Sequence, residues 1–335
     1  MGATSDDPAI ALLLTTGDAA IDRVLQGIVT LFEASLPGRV RGYYLLGSYA
    51  NGTAVAISDI DLIALFAGAL DASERALAER LVEGCALLSP TRLDIVICDE
   101  ASIEASSGGE VVLLRFDGRL LYGADTRASL ALPPLPIYTR ETLAAACYFI
   151  VHILRSVEWL EYPLGYPDPK GEFYGYDAIH IAEWYPPGTQ RGVKELVTTA
   201  TRIARAQLAL QAGRYAGSKG GSAADYGVYL HSPWSDLPQA LYEQGKLRWS
   251  YAIPTAAEDR RALRALCARM LSFENAFLAR YRDELLALLR SGDASDRAHA
   301  RDQLRAIHYP DDAELHAALA EADQADQADQ AGRQP

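Results

Sequence analysis

The chain has 335 residues, half of them hydrophobic and 22% charged, a length and balance suited to two soluble globular domains. No run of about 18 apolar residues is present to span a bilayer, and the start lacks the basic-then-apolar pattern of a secretory leader. With 44 acidic against 31 basic residues the formal charge is −13, which disfavours a nucleic-acid substrate and suits either simple solubility or a cationic small molecule.

Four cysteines, Cys85, Cys98, Cys147 and Cys267, lie far apart in apolar stretches with no Cys-x-x-Cys pair. They are expected to be reduced core thiols of a cytoplasmic protein, not zinc ligands or a redox pair.

In chain order, the first element runs over about 18–36, where Ile21, Val24, Leu25, Ile28, Leu31 and Phe32 repeat at helical spacing before Pro37 and Gly38. Tyr43–Leu46 reads as a strand running into Gly47-Ser48, and Asp61–Phe66 as a second, buried strand. Asp71 with Glu74 makes a capping-box start for a helix to about Cys85, and Leu93–Cys98 is a third strand. The order predicts a small mixed sheet with helices packed on it, an α/β (α+β) first domain over 1–131. Residues 111–122 fit a strand or a helix equally.

The Leu132-Pro133-Pro134-Leu135-Pro136 stretch marks a domain boundary, because its prolines break helix and central strand alike. Beyond it an all-α helical bundle is predicted over 137–292, with helices at 141–160, 193–212 and 256–289. Between the first two lies a Tyr-, Trp- and Pro-rich segment, 162–187. From 318 to 335 the Ala-Asp-Gln repeats predict a disordered tail.

The chemistry concentrates in Gly47-Ser48-Tyr49-Ala50-Asn51-Gly52 and, five residues on, Ser58-Asp59-Ile60-Asp61-Leu62. Asp59 and Asp61, two apart on a strand, point to one face and offer two hard oxygen ligands to a magnesium ion, leaving positions for substrate phosphates. Asp94, opening the third strand, could complete an acidic triad that repels itself unless a cation sits within it. Gly47 lets backbone approach a phosphate, and Ser48 offers an N–H and a hydroxyl. Alone, an Asp-x-Asp pair is usually a solvated strand edge and Gly-Ser a turn; the joint pattern is what carries weight.

The pattern Gly-Ser-x3-Gly-x5-Ser-Asp-x-Asp-Leu resembles the signature of the DNA polymerase β-like nucleotidyltransferase superfamily, matched at every fixed position including Ser58. The resemblance implies a catalytic core over about 39–99, with Asp59 and Asp61 holding metal and Asp94 as third metal ligand or as the base for the acceptor's proton. Leu120-Leu121-Tyr122-Gly123-Ala124-Asp125 and the stretch from Thr199 to Lys219 resemble aminoglycoside adenylyltransferases of the streptomycin/spectinomycin type. By that resemblance Arg205, Ser218 and Lys219 would reach the phosphates of ATP, and Arg248 with Tyr251 would be a further nucleotide contact. The likeness spans about 15–290. It implies an antibiotic-resistance enzyme moving AMP from ATP to a hydroxyl of a small acceptor.

Aromatic and acidic residues of the 162–187 segment (Tyr166, Asp168, Glu172, Tyr174, Tyr176, Asp177, Glu183, Trp184 and Tyr185), with Glu195 beyond it, suit a cationic, hydroxyl-rich guest. The segment fits a packed structural insert equally. Of these, Glu183, Trp184 and Glu195 are the candidate acceptor contacts. His152 and His180 read as core or surface residues. Two other acceptors stay open for the same chemistry, a biosynthetic metabolite, or a protein or tRNA in a regulatory or toxin–antitoxin pair. A silent binding protein is a third reading, against which the intact acids argue. The acceptor, the base of the nucleotide and the oligomeric state are not legible in the sequence.

Overall fold

A computed structural model describes residues 10–105 and 109–331. The chain divides into two compact units. One runs to Tyr138 and takes in Tyr215–Ser218; the other comprises Thr139–Arg214 and the chain from Lys219 onward.

In the first unit, helix α1 (Ala19–Ser35) starts where the Asp18 side chain accepts the Ala20 and Ile21 N–H groups. Strand β1 (Val40–Leu46) runs straight into the short helix α2 (Gly47–Ala50) and is followed by β2 (Ile60–Phe66). Helix α3 (Ala72–Leu88) carries the complete Asp71/Glu74 capping box, and leads to β3 (Leu93–Asp99). Then come α4 (Glu100–Ala105), α5 (Gly109–Asp117) and β4 (Arg119–Gly123). The ambiguous 111–122 stretch is therefore both, a helix and then a strand, with Gly118 between them where a Cβ would collide with the Leu114 carbonyl.

The sheet order is β3-β2-β1-β4, with β2 parallel to β3 and antiparallel to β1, and β1 antiparallel to β4. Alternation along the strands sorts the core into two layers. Tyr43, Leu45, Ile60, Leu62, Ala64 and Phe66 pack with Ile28, Phe32 and Ala78. Tyr44, Leu46, Ile63, Leu65 and Cys98 pack with Val111 and Leu114 on the other side. This is the mixed sheet covered by helices that the sequence predicts, followed by a helical unit.

The second unit opens with α6 (Leu135–Tyr148), whose first residues belong to the preceding unit, and a π-helical turn, Phe149–Ile153. Helix α6 begins inside the proline run, because Pro136 falls in the first helical turn, where no N–H is needed. After the two-residue β5 (Leu160–Glu161) and an irregular stretch comes α7 (Lys194–Ala212), most of whose residues are buried. Around it follow α8 (Lys219–Tyr229), α9 (Leu237–Leu241) and a second π turn, Tyr242–Arg248. The long α10 (Ala257–Leu289) buries Leu263, Met270, Phe273, Phe277 and Tyr281.

Beyond the predicted bundle, the chain continues through α11 (Ala294–Gln303), β6 (Ile307–His308), parallel to β5, and α12 (Ala313–Ala331). The expected disordered tail is thus helical as far as Ala331; 332–335 lie outside the described residues. Leu315, Ala318 and Ala322 are buried on one side of α12, and Asp323 and Asp326 pair with Arg301 and Arg297 of α11. The repeat's acids therefore meet charge partners, and its alanines supply helix propensity and a small apolar stripe.

An ion pair lies inside the second unit. Arg155 meets Glu274 of α10 through two 2.7 Å hydrogen bonds, and the Tyr176 hydroxyl donates to the same carboxylate at 2.6 Å. The arginine and glutamate side chains are 5% and 0% exposed. Truncating one partner strands the other charge in the core. Glu274→Ala is expected to cost about 3–5 kcal/mol in urea unfolding, whereas truncating the exposed Arg305 should change stability by no more than about 0.5 kcal/mol.

Candidate active site

The acidic motif is built by the central strands. Asp61 is the second residue of β2, pairing in register with Leu46 of β1 on one side and Asp94 of β3 on the other. Alternation puts Asp61 on the same sheet face as Ile63 and Leu65, and Asp94 on that of Cys98. A face that is apolar further along its strands thus carries two neighbouring carboxylates at one end. Asp59 lies just ahead of β2; Asp59 and Asp61 are half-buried, and Asp94 is exposed.

Gly47 makes this packing fit. Its φ of +64° is left-handed, and a Cβ built there would overlap Asp61 Oδ2, with Cγ at 3.2 Å. Gly52 closes the turn at φ +65°, with open space around it. The Thr53 N–H donates to the Ser48 carbonyl at 2.9 Å. Ser58 is buried, and its hydroxyl accepts the Val55 N–H at 2.9 Å, so this serine holds the loop that delivers Asp59. Burial raises the Tyr49 hydroxyl above its ordinary pKa, with the charges of Asp18 and Asp59 adding to the effect.

Among the described residues no three His, Cys, Asp or Glu side chains converge into a metal cage. The donor set does suit magnesium, which is commonly held by one or two carboxylates and substrate phosphates rather than by an all-protein cage. Asp61 and Asp94, in register on adjacent strands about 4.8 Å apart, supply such a pair.

The other candidates fall in different places. Ser218 belongs to the first unit with Tyr215–Gly217. There Tyr215 donates to the Pro133 carbonyl at 2.5 Å, and the Tyr138 hydroxyl donates to the Ala216 carbonyl at 3.0 Å. Arg205 and Lys219 belong to the second unit. Arg205 Nε donates to Ser222 Oγ at 3.4 Å, and Ser222 stands one turn into α8, which Lys219 opens. Tyr251 is buried with φ +65°, its carbonyl accepting the Val193 N–H at 2.9 Å; Arg248 is exposed and pairs with Asp259 at 2.8 Å.

Much of the 162–187 segment is engaged in packing. Tyr166 stacks on Tyr174 at 4.3 Å, Tyr176 and Tyr185 are buried, Asp177 pairs with Arg191, and Glu172 with Arg260. Glu183 is exposed, and Trp184 stacks on Phe149 with the Lys194 ammonium 5.6 Å from its ring. The ring of His152 bonds to the Val157 carbonyl, and the His180 N–H donates to Glu195.

Glu195 is fully buried at the start of α7. Its Oε1 accepts the His180 and Ile181 N–H groups at 2.8 and 2.9 Å, while Oε2 has no hydrogen-bond partner. Burial raises its pKa against the lowering effect of those two N–H groups. Three residues not singled out in the sequence share this condition: Thr198 Oγ1, Thr199 Oγ1 and Arg202 Nε are buried without partners. Their side of α7 was the only signal available, and it reads as an ordinary helix face.

No protein-family model matches the chain, and no curated protein matches it. Among solved structures, it is similar to a spectinomycin adenyltransferase, AAD(9) from Enterococcus faecialis with ATP and spectinomycin, at 10% identity and a TM-score of 0.42, over 75% of this chain and 98% of that one. It is also similar to a toxin-antitoxin with AMP-PNP at 24% identity, TM-score 0.25, over 32% of this chain and 78% of that one. The toxin-antitoxin MntA-HpeT gives 27% identity, TM-score 0.25 and coverage of 32% and 77%.

Two outcomes check the geometry. Gly52→Ala is expected to cost about 1 kcal/mol for its left-handed backbone alone, and Gly47→Ala more, because it adds the collision with Asp61; equal unfolding midpoints would contradict the packing described. For Glu195, a raised folded pKa means the native state holds the proton more tightly than the unfolded chain. Its contribution to stability therefore falls as pH rises from the ordinary glutamate range through the raised value. Glu195→Gln should match the wild type near pH 4 and become progressively more stable than it toward pH 7 in thermal melts.

Proposed function

We propose that the chain is a magnesium-dependent nucleotidyltransferase that moves AMP from ATP to a hydroxyl of a small cationic acceptor of the aminoglycoside kind. The observation that carries this reading is the single constellation of Gly47, Asp61 and Asp94: a left-handed glycine pressed on one carboxylate, with the other at paired register. The −13 net charge favours a cationic acceptor and weighs against tRNA.

Asp59 and Asp61 would hold the metal, which when bound would screen the phosphate charge and steady the pyrophosphate leaving group. Asp94, the most exposed of the three acids and in register with Asp61, would serve as third ligand to the metal or as the base that takes the proton of the acceptor hydroxyl. That oxygen forms a bond to the α-phosphorus as the bond to the bridging oxygen breaks, and pyrophosphate leaves. Gly47 and Ser48 would bring backbone N–H groups to phosphate oxygens. Arg205, Ser218, Lys219 and Tyr251 would bind the nucleotide. Glu183, Trp184 and Glu195 would receive the acceptor, its cationic groups drawn to the acids and the indole face.

The test is pyrophosphate release from ATP and magnesium over a panel of aminocyclitols and neutral metabolites, with product masses read in parallel. A gain of one AMP on an aminoglycoside is expected, together with loss of the reaction on chelation. Asp59→Asn and Asp61→Asn should each lower turnover by about a hundred-fold or more; near-normal rates in either would sink the assignment. Labelling of protein or tRNA instead of small molecules would keep the chemistry and move the acceptor.

A further inference from the structure

The last helix is fastened differently at its two ends. Near its start, Leu315 and Ala318 of α12 are buried, and Arg282 of α10 pairs with Asp312 and, at 2.8 Å, with Glu314. The buried line continues to Ala322, each step three or four residues along, so position 326 is the next to face inward. An aspartate stands there instead of an apolar residue. The cause lies in the repeat: a period of three falls about 60° short of a full turn, and Ala325 is already exposed. From Asp323 to Gln327 no side chain is buried.

A clamp of charge replaces the apolar seam. Arg297 Nε donates to Asp326 Oδ1 at 2.8 Å and Arg301 Nη2 donates to Asp326 Oδ2 at 2.5 Å, so one carboxylate bridges two guanidinium groups a helical turn apart. Arg301 Nε also donates to Asp323 at 2.8 Å. Beneath this cover the Arg297 side chain is 5% exposed, and it donates a further bond to the Ser291 carbonyl at 3.0 Å. Ion pairs near water are weak and are screened by salt. A helical segment shorter than about 12 residues does not persist unsupported. The end of α12 therefore stays helical while its acids are seated, and its hold can be loosened without disturbing Leu315 or the α10 core.

We propose that Asp323–Ala331 is a salt-released strap whose Asp326 occupies, from within the chain, a carboxylate seat made by Arg297 and Arg301. The seat's chemistry is read from its present occupant. It accepts carboxylates three residues apart on one helix, with the two oxygens of the second shared between two guanidinium forks. Opening the strap uncovers Arg297, which is otherwise closed to any partner. The partner is thus an acidic helical segment of another chain that displaces the repeat. The residues concerned lie on α11 and α12 of the second unit, so the inference goes beyond nucleotide transfer and does not rest on it.

Hydrogen exchange of the intact protein tests the strap. Between about 0.05 and about 0.5 M sodium chloride the amides of 323–331 are expected to lose protection several-fold, with α10 unchanged. At the lower salt, Asp326→Asn should reduce the same protection by about ten-fold, the loss of charge-assisted bonds. A merely structural helix end would exchange together with α10 and ignore salt, and that result overturns the proposal. The seat is tested by calorimetric titration of a synthetic peptide of residues 322–331 into wild type and into the Asp323→Asn/Asp326→Asn variant at low salt. The variant is expected to bind the peptide about ten-fold more tightly than wild type, because its own strap competes less. Adding Arg301→Met, at a partly exposed position, should remove that gain. Equal affinity in wild type and variant overturns the seat, and so does binding of inorganic pyrophosphate with no response to the peptide. If the double variant does not fold, Asp323→Asn alone, at an exposed acid, decides: a smaller gain supports the seat, and wild-type affinity overturns it.

Discussion

The first unit is organised around two carboxylates that face each other across a pair of parallel strands. Asp61 and Asp94 occupy matched positions on β2 and β3, where like charges side by side are unfavourable. The arrangement persists because everything around it is committed. Ile60 and Leu62 are buried on the opposite face, Ile63 and Leu65 continue the near face into a core, and β1 delivers Gly47 directly against Asp61. A one-residue slip of β2 would turn Asp61 into the layer formed by Ile28 and Phe32 and expose its aliphatic neighbours. The register that builds the core is the same register that brings the charges together.

The second unit meets a related problem with different means. Its interior holds ionised and hydroxyl groups where a helical bundle would ordinarily be hydrocarbon. Arg155, Glu274 and Tyr176 resolve theirs internally, each bonded to the next. On α7, by contrast, Glu195 Oε2, Thr198 Oγ1, Thr199 Oγ1 and Arg202 Nε are buried with no hydrogen-bond partner. Both π turns, Phe149–Ile153 and Tyr242–Arg248, adjoin this helix. Such turns displace side chains from regular helical positions and often accompany functional sites.

Much of the first unit was legible in the sequence because its signals are local. The Asp71–Glu74 box and the aliphatic runs of β2 and β3 each lie within a few residues, and Gly47 and Asp61 belong to one short stretch of chain. The 111–122 stretch was not, since Val111, Val112 and Leu114 suit either structure until Gly118 interrupts them. The Ala-Asp-Gln repeat looked incapable of folding because the arginines that partner Asp323 and Asp326 lie more than 20 positions earlier. Among the candidate residues, Asp59, Asp61 and Asp94 of the first unit and Glu195 of the second could each be named from charge and pattern. Arg202 could not, because nothing in a one-dimensional reading tells whether an arginine has found its acid. The 162–187 segment misled in the other direction. Its abundance of tyrosine and carboxylate is largely consumed by stacking and pairing that no sequence window reveals.

The first unit is made from two separate pieces of chain, and four residues, Tyr215–Ser218, belong to it although they are encoded inside the second. Tyr215 stacks on Phe116 and bonds to Pro133, Ala216 is held by Tyr138, and Gly217 leaves no room for a Cβ beside Asp117. A gene fragment ending at the natural-looking proline boundary would therefore encode an incomplete unit. Recombination that replaced the helical half wholesale would have to bring an equivalent short insert with it. The two halves are in this sense genetically interleaved, and change in the helical half is more easily reached by point substitution than by exchange of whole domains.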